Sequence, residues 1–399
     1  MTNPLSSVFN YHDFREAARK RLPRGVFDYV DRGTEDELAL VNNRAAFDRI
    51  GLKPKVLVDV SQRSMATQLF GRPSALPVAI APTGAAGLLC HNGEVEIAKA
   101  AARAGIPFSL STYSINSMEQ VASEAGGRLW FQLYMWPDRA MSHQLVLRAK
   151  AAGFEALIVT VDTAAMPNRE YNQRNGFALP FGLNRRNALD LATHPRWLVQ
   201  VMLRYLLASG MPQFENLPDA LRQSLMSTPV KQRALPKNDS LTWDDLRELR
   251  RLWSGPLMIK GVLDEDDADK AVQCGVDAVI VSNHGGRNLD SAIAPIIALP
   301  RIVERVNGRA DVMLDSGIRR GSDIAKALAV GAKAVFIGRA PLWGVALAGE
   351  PGAHQAIALL AQELDRVMAL MGCASLGDLD RSRCHFDEPS TDLGGFGRT

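Results

Sequence analysis

The stretch Lys270-Ala271-Val272-Gln273-Cys274-Gly275 runs into Ala278-Val279-Ile280-Val281 and then Ser282-Asn283-His284-Gly285-Gly286-Arg287. Its first part reads as a helix ending in glycine, which caps helix C-termini because it enters left-handed backbone without a Cβ penalty. Its second part is an unbroken β-branched run, the pattern of a strand buried on both faces in a parallel sheet. The same phrase occurs three more times. Ala101-Ala102-Arg103-Ala104-Gly105 leads into Pro107-Phe108-Ser109-Leu110, and Ala149-Lys150-Ala151-Ala152-Gly153 into Leu157-Ile158-Val159-Thr160. Lys326-Ala327-Leu328-Ala329-Val330-Gly331 leads into Ala334-Val335-Phe336-Ile337. The runs Pro77–Ile80, Leu129–Gln132, Pro256–Ile259 and Asp311–Leu314 bring the strands to eight. Eight strands alternating with helices predict an α/β fold, the (β/α)₈ TIM barrel. The alternative, an open doubly wound sheet, lacks its G-x-G-x-x-G fingerprint after the first strand.

In such a barrel the chemistry belongs at the C-terminal strand ends. Here those ends read Pro82-Thr83-Gly84, Ser111-Thr112-Tyr113, Gln132-Leu133-Tyr134, Thr160-Val161-Asp162, Lys260-Gly261, Ser282-Asn283-His284, Asp315-Ser316-Gly317 and Gly338-Arg339. A barrel built only for stability has no reason to gather Lys, His, Asp, Gln and Tyr on one rim. The sixth end supplies a base, His284, and three residues later a fork-shaped cation, Arg287. A neutral imidazole beside a guanidinium suits proton abstraction from a substrate whose carboxylate is held by the cation. Asp162 is placed to stabilise the imidazolium, as carboxylates do in catalytic triads. Lys260 ends a buried strand and needs a partner or an anion; it suits either a Schiff base or the edge of an electron-rich cofactor ring. Asp315-Ser316-Gly317-Ile318-Arg319-Arg320-Gly321 and Gly338-Arg339 follow strands seven and eight, where barrels commonly hold a phosphate. The bland alternatives are a loop salt bridge from Asp315 to these arginines and an Arg169–Glu170 pair. Tyr29 and Tyr134 are candidate donors to substrate.

The chain has 399 residues, 47% hydrophobic and 22% charged, with net charge +3. That charge is too small, and basic blocks too absent, for a nucleic-acid partner. Cys90, Cys274, Cys373 and Cys384 lack metal-ligand or disulfide spacing, which fits a reducing compartment and predicts no metal. The start of the sequence does not read as a signal peptide. Tyr11 to Val30 reads as two helices separated at Pro23.

Between strands four and five the repeat breaks, so residues 165–240 read as an insertion in an otherwise continuous 1–399 barrel. A helix from Thr242 to Trp253, with Thr242 as N-cap and Asp245 in its first turn, resumes the barrel. Within the insertion, Pro195 to Leu207 is apolar and aromatic, and Arg185, Arg186, Arg196 and Arg204 outweigh Asp190 across 181–211. Residues 177–215 therefore suit either a peripheral contact with an anionic membrane or a lid or subunit-contact helix.

Taken in order from about Phe9 to Arg383, these segments resemble the FMN-dependent L-2-hydroxy acid oxidases and dehydrogenases. That family includes glycolate oxidase, quinone-linked L-lactate dehydrogenase and (S)-mandelate dehydrogenase. The most specific piece is Ser282-Asn283-His284-Gly285-Gly286-Arg287-Asn288-Leu289-Asp290. The resemblance implies His284 as base with Asp162 as its partner. Arg287 and Arg169 would hold the carboxylate, helped by Tyr29 and Tyr134, with Lys260 beside the flavin N1–O2 edge. Pro82, Thr83, Gly84, Ser111, Gln132, Thr160 and Ser282 would line FMN. Asp315 would meet its ribityl chain, and Gly317, Arg319, Gly338 and Arg339 its phosphate. Two positions depart from the family's oxidases. Tyr113 stands where glycolate oxidase has tryptophan, and Gly84 where oxidases usually have alanine and dehydrogenases glycine. With the basic insertion, whose His194-Pro195-Arg196-Trp197 resembles the membrane segments of bacterial relatives, this implies an (S)-2-hydroxy acid dehydrogenase passing electrons to quinone. It would lie at the cytoplasmic side of the inner membrane, or in the cytoplasm, as a homo-oligomer, a tetramer by resemblance. The alternatives are a peroxide-forming oxidase and a non-redox FMN barrel isomerase, or a Schiff-base aldolase on Lys260.

Overall fold

The computed structural model of the chain describes residues 4–177, 185–218, 221–222 and 239–386. Its centre is a closed barrel of eight parallel strands: β1 Val78–Thr83, β2 Phe108–Ser111, β3 Leu129–Leu133, β4 Ala156–Thr160, β5 Leu257–Val262, β6 Ala278–Val281, β7 Asp311–Leu314 and β8 Ala334–Ile337. Each strand pairs with its neighbour in sequence, and β8 closes on β1 through Val335 opposite Val78. The predicted strands match these spans except at their ends. Three begin one residue later, because proline cannot donate to the ladder at Pro77, Pro107 or Pro256; β4 begins one residue earlier, at Ala156, and β1, β2, β3 and β5 run on into the polar rim.

Strand alternation explains how the rim is stocked. Successive side chains point to opposite faces. Ala79, Ala81, Trp130, Ala156, Ile158, Met258, Ala278, Ile280, Met313, Ala334 and Phe336 fill the barrel, with Leu69 and Phe70 closing its lower end. The next inward position on each strand is Thr83, Ser111, Gln132, Thr160, Lys260, Ser282, Asp315 or Gly338. The apolar filling and the polar ring are thus consecutive layers of one pattern. The opposite faces, including Ile80, Leu110, Phe131, Val159, Ile259 and Val279, belong to the larger cluster under the outer helices.

Before the barrel come three helices: α1 Tyr11–Arg21, α2 Arg24–Asp31 and α3 Leu38–Asp48. Asn10 caps α1 by accepting from the His12 and Asp13 amides, and Pro23 separates α1 from α2 as expected. Two features have no counterpart in the sequence reading. Thr67–Leu69 and Arg72–Ser74 form a hairpin, and Ile50–Leu52 pairs antiparallel with Cys384–Phe386.

The insertion is described in part: residues 178–184, 219–220 and 223–238 of it, and the side chains of Arg185 and Arg186, lie outside the described residues. The expected helix runs from Pro195 to Ala208, but its middle, Leu198–Leu203, is a wide π turn. Its aromatic residues face inward. Trp197 donates from Nε1 to the Leu88 carbonyl at 2.7 Å, and the Tyr205 hydroxyl accepts from the Asn92 amide at 3.0 Å. The outer face keeps Val199, Leu203, Leu206 and Leu207 exposed beside Arg196 and Arg204, with Leu207 80% accessible. The helix Trp243–Leu252 resumes the barrel, the Thr242 amide donating to Asp245 at 2.7 Å. Among the described residues no helix is long and apolar enough to cross a membrane.

Candidate active site

The loop after β6 owes its shape to its glycines. His284, Gly285 and Gly286 all have positive φ, at 58°, 71° and 73°. A Cβ on Gly286 would lie 2.5 Å from the Leu40 amide nitrogen of α3, so only glycine lets the loop approach that helix. Asn283 fixes the contact through paired amide bonds with Asn43, at 2.7 and 2.8 Å. Asp290 completes it by accepting from the Asp36 and Ala39 amides, both at 3.1 Å. The left-handed backbone at His284 turns its ring back over the barrel mouth.

His284 Nδ1 lies 3.0 Å from Asp162 Oδ1, and its Nε2 lies 3.3 Å from the Tyr134 hydroxyl. An ionised carboxylate only accepts, so Nδ1 carries the proton and Nε2 presents its lone pair to the cavity. Burial lowers the His284 pKa, against the pull of Asp162. Burial alone would raise Asp162, but His284, and then Lys260, hold it below the usual carboxylate range. The resting pair is therefore neutral imidazole and carboxylate. Gly261 makes room for it, since a Cβ there would sit 2.6 Å from Asp162 Cβ.

Lys260 is 4% exposed and finds the partner it requires: Nζ lies 2.6 Å from Asp315 Oδ2 and donates to Ser282 Oγ at 2.9 Å. Ser282 Oγ in turn donates to Asp315 at 3.0 Å and accepts from the His284 amide at 3.0 Å. On the other side of the mouth, Ser111 Oγ donates to Gln132 Oε1 at 3.1 Å, and Gln132 Nε2 to Thr160 Oγ1 at 3.0 Å. Asp315 is thus tied to Lys260 rather than to a loop arginine, and Glu170 pairs with Arg174 rather than with Arg169.

The arginines are placed by backbone carbonyls of the N-terminal helices. Arg287 donates to the Arg32 carbonyl at 2.9 Å and lies over the Tyr29 ring at 5.4 Å. Arg339 donates through Nε to the Val30 carbonyl at 2.9 Å, and Arg319 lies over the Tyr11 ring. Arg169 Nε is buried without a hydrogen-bond partner among the described residues. Burial lowers its pKa, and the neighbouring Arg287 adds to the effect.

These groups surround one cavity of about 510 Å³, inside the range of roughly 300–1,000 Å³ usual for ligand sites. Pro82, Thr83, Gly84, Ser111, Lys260, Asp315, Gly317, Arg319, Gly338 and Arg339 line it, with Tyr29, Tyr134, Arg169, His284 and Arg287. Gln132, Thr160 and Ser282 are buried on the neighbouring inward positions, and Asp162 stands behind His284. The donor set suits FMN. Arg319, Arg339 and the glycines at 317 and 338 offer cations and unobstructed backbone for a phosphate, and Lys260 offers positive charge for an electron-rich ring. A Cβ on Gly317 would lie 2.7 Å from the Asn43 carbonyl, so the tight approach of that loop depends on glycine.

The sequence reading missed Asn43, Asn283, Tyr11, Trp136 and Phe214. Asn43 and Asn283 shape the loop, whereas Tyr11, Trp136 and Phe214 line the cavity. Only Asn283 sits in a recognisable phrase; the others come from segments with no motif.

The comparisons with known proteins agree with this architecture. The model of the FMN-dependent dehydrogenase family matches residues 18–386. An L-lactate oxidase of Nostoc sp. is 45% identical over 386 residues, covering 96% of this chain and 99% of that protein. The (S)-mandelate dehydrogenase of Pseudomonas putida is 41% identical over 374 residues, covering 94% and 93%. Among solved structures, one described as monotopic membrane protein (S)-mandelate dehydrogenase superposes with a TM-score of 0.89 at 40% identity, covering 96% of this chain and all of that one. The match along nearly the whole chain, with FMN as the cofactor the cavity fits, places this protein in the FMN-dependent dehydrogenase family.

Proposed function

We propose that the chain oxidises an (S)-2-hydroxy acid to the 2-keto acid and passes the electrons to a membrane quinone. The observation that carries this reading is that His284, backed by Asp162, shares one cavity with Arg287 and Arg169. FMN supplies the acceptor for the electron pair released at the substrate α-carbon. Every other task falls to the protein. Arg287 and Arg169 bind the carboxylate in place of water, and a second cation is reasonable where the first is already held by backbone carbonyls. His284 Nε2 takes the proton the substrate loses, and Asp162 offsets the charge that then develops on the ring. The Tyr134 hydroxyl, held above the ordinary phenol pKa first by burial and then by Asp162, stays protonated and donates to the substrate oxygen. Lys260, held by Asp315 and Ser282, presents a fixed positive charge to the same cavity.

The quinone assignment is supported by Gly84 and by the exposed leucines and arginines of Pro195–Ala208, which suit a peripheral contact with the cytoplasmic face of the inner membrane. A tetrameric assembly follows from the resemblance alone. The second reading is an oxidase, favoured by the 45% identity to an L-lactate oxidase. Anaerobic mixing of the FMN-loaded protein with glycolate, L-lactate and (S)-mandelate tests the chemistry: one of them should bleach the flavin rapidly. If all three leave it oxidised, the proposal fails. Fast stoichiometric peroxide under air would replace the quinone with oxygen.

A further inference from the structure

The proposed chemistry fixes where a substrate's α-carbon must sit, within reach of His284 Nε2, and the cavity wall beyond that point is built of rings. The Tyr134 ring, whose hydroxyl lies 3.3 Å from Nε2, packs on Tyr113 with centroids 5.2 Å apart. Tyr113 packs edge-on against Phe214 at 5.5 Å and 72°. All three line the same cavity, and Met166 and Trp136 add further apolar surface there.

Phe214 does not belong to the barrel; it arrives from the insertion, and its neighbours hold it firmly. The Glu215 amide donates to the Ser114 carbonyl at 3.2 Å. The fully buried Asn216 accepts from the Met118 amide at 2.8 Å and donates to Ser114 Oγ at 2.6 Å and the Asn116 carbonyl at 3.1 Å. Three bonds to the loop after β2 and one to the first residue of the helix Met118–Ala125 fix the two residues that follow Phe214, so its ring is a built part of the wall. A substrate with a methyl side chain would leave the open faces of Tyr113 and Tyr134, and the edge of Phe214 that reaches the cavity, without an apolar partner; Phe214 is otherwise packed, at 4% exposure. A flat apolar side chain would cover this surface, and offset or edge-on ring contacts favour an aryl group over an alkyl chain of similar size.

We infer that Phe214, acting with Tyr113, is a specificity-determining residue that selects 2-hydroxy acids bearing an aryl side chain. This rests on the function proposed above. Phe214 contacts the side chain of the substrate and none of its reacting atoms, so removing the ring should alter discrimination and leave the chemistry of small acids intact.

The test is anaerobic stopped-flow reduction of the FMN-loaded wild type, Phe214→Leu and Phe214→Ala by (S)-mandelate and by L-lactate, comparing second-order rate constants. The wild type should favour (S)-mandelate. In both variants its rate constant should fall about three- to tenfold, the value of one ring contact, while that for L-lactate changes less than twofold. L-lactate also reports on folding, and the Leu variant keeps the site filled. A wild type that favours L-lactate, or variants in which both acids lose rate in parallel, overturns the inference. Bleaching by neither acid in the wild type overturns the activity itself, and the specificity with it.

Discussion

Replacing Asp162 by Asn removes one charge and little else. Asp162 Oδ1 is 3.0 Å from His284 Nδ1, and the two side chains are only 14% and 20% exposed. At that distance, with an effective dielectric constant of about 20, opposite unit charges attract by about 5 kcal/mol before desolvation is counted. The net value of a hydrogen bond to a charged group is smaller, about 1.5–3 kcal/mol, and a neutral amide keeps about 0.5–1.5 kcal/mol of it. The variant should therefore lose about 1–2 kcal/mol of support for the imidazolium that forms as the proton is taken. Flavin reduction at saturating substrate should slow about 5- to 30-fold. The pH dependence carries an independent sign. His284 works only when neutral, so activity rises with pH as its ring deprotonates. Burial already lowers its pKa and Asp162 partly offsets that; without the carboxylate the acid limb must move to still lower pH. Anaerobic stopped-flow reduction across the range from about pH 5 to 8 reads both quantities. A rate within twofold of wild type, or an acid limb that moves to higher pH, would refute the pairing as the support of the base.

Other perturbations test other parts. Arg287→Lys keeps the charge and loses the fork, so kcat/KM for the hydroxy acid should drop about 10- to 100-fold, mainly through KM; steady-state kinetics with a soluble dye acceptor would show it, and an unchanged KM would contradict the carboxylate role. Lys260→Met leaves the Asp315 carboxylate without its cation, at a cost of about 3 kcal/mol in urea unfolding. Adding Asp315→Asn should recover most of that loss, and additive losses would contradict the pairing. Replacing both Leu203 and Leu207 by Glu should abolish co-sedimentation with vesicles containing phosphatidylglycerol, while dye-linked activity stays within twofold; retained sedimentation would argue against this face as the contact.

The barrel was legible because one grammar repeats: a glycine-capped helix, an apolar strand, a polar tip. Period-two alternation then places Lys260, Ser282 and Asp315 on the inner wall without further information. What sequence could not give is who meets whom at the mouth. Lys260 and Asp315 are 55 positions apart in the sequence, yet 2.6 Å apart in space. Arg287 and Arg339 are aimed by carbonyls of Arg32 and Val30, and a backbone acceptor leaves no mark in residue identity. The insertion is the clearest case. Its Trp197 and Tyr205 suggested a membrane face, but both turn toward the loop after β1, leaving leucines and arginines outside. Phe214, a lone ring between polar residues, carried no periodic signal at all.

The central claim is that His284 takes the substrate proton while FMN is held by other groups. The direct measurement is the spectrum of His284→Ala before and after anaerobic addition of the best substrate. The purified variant should remain yellow with FMN bound. Its bleaching should slow about 10²- to 10⁴-fold, the usual contribution of a general base. Bleaching at the wild-type rate would contradict the account.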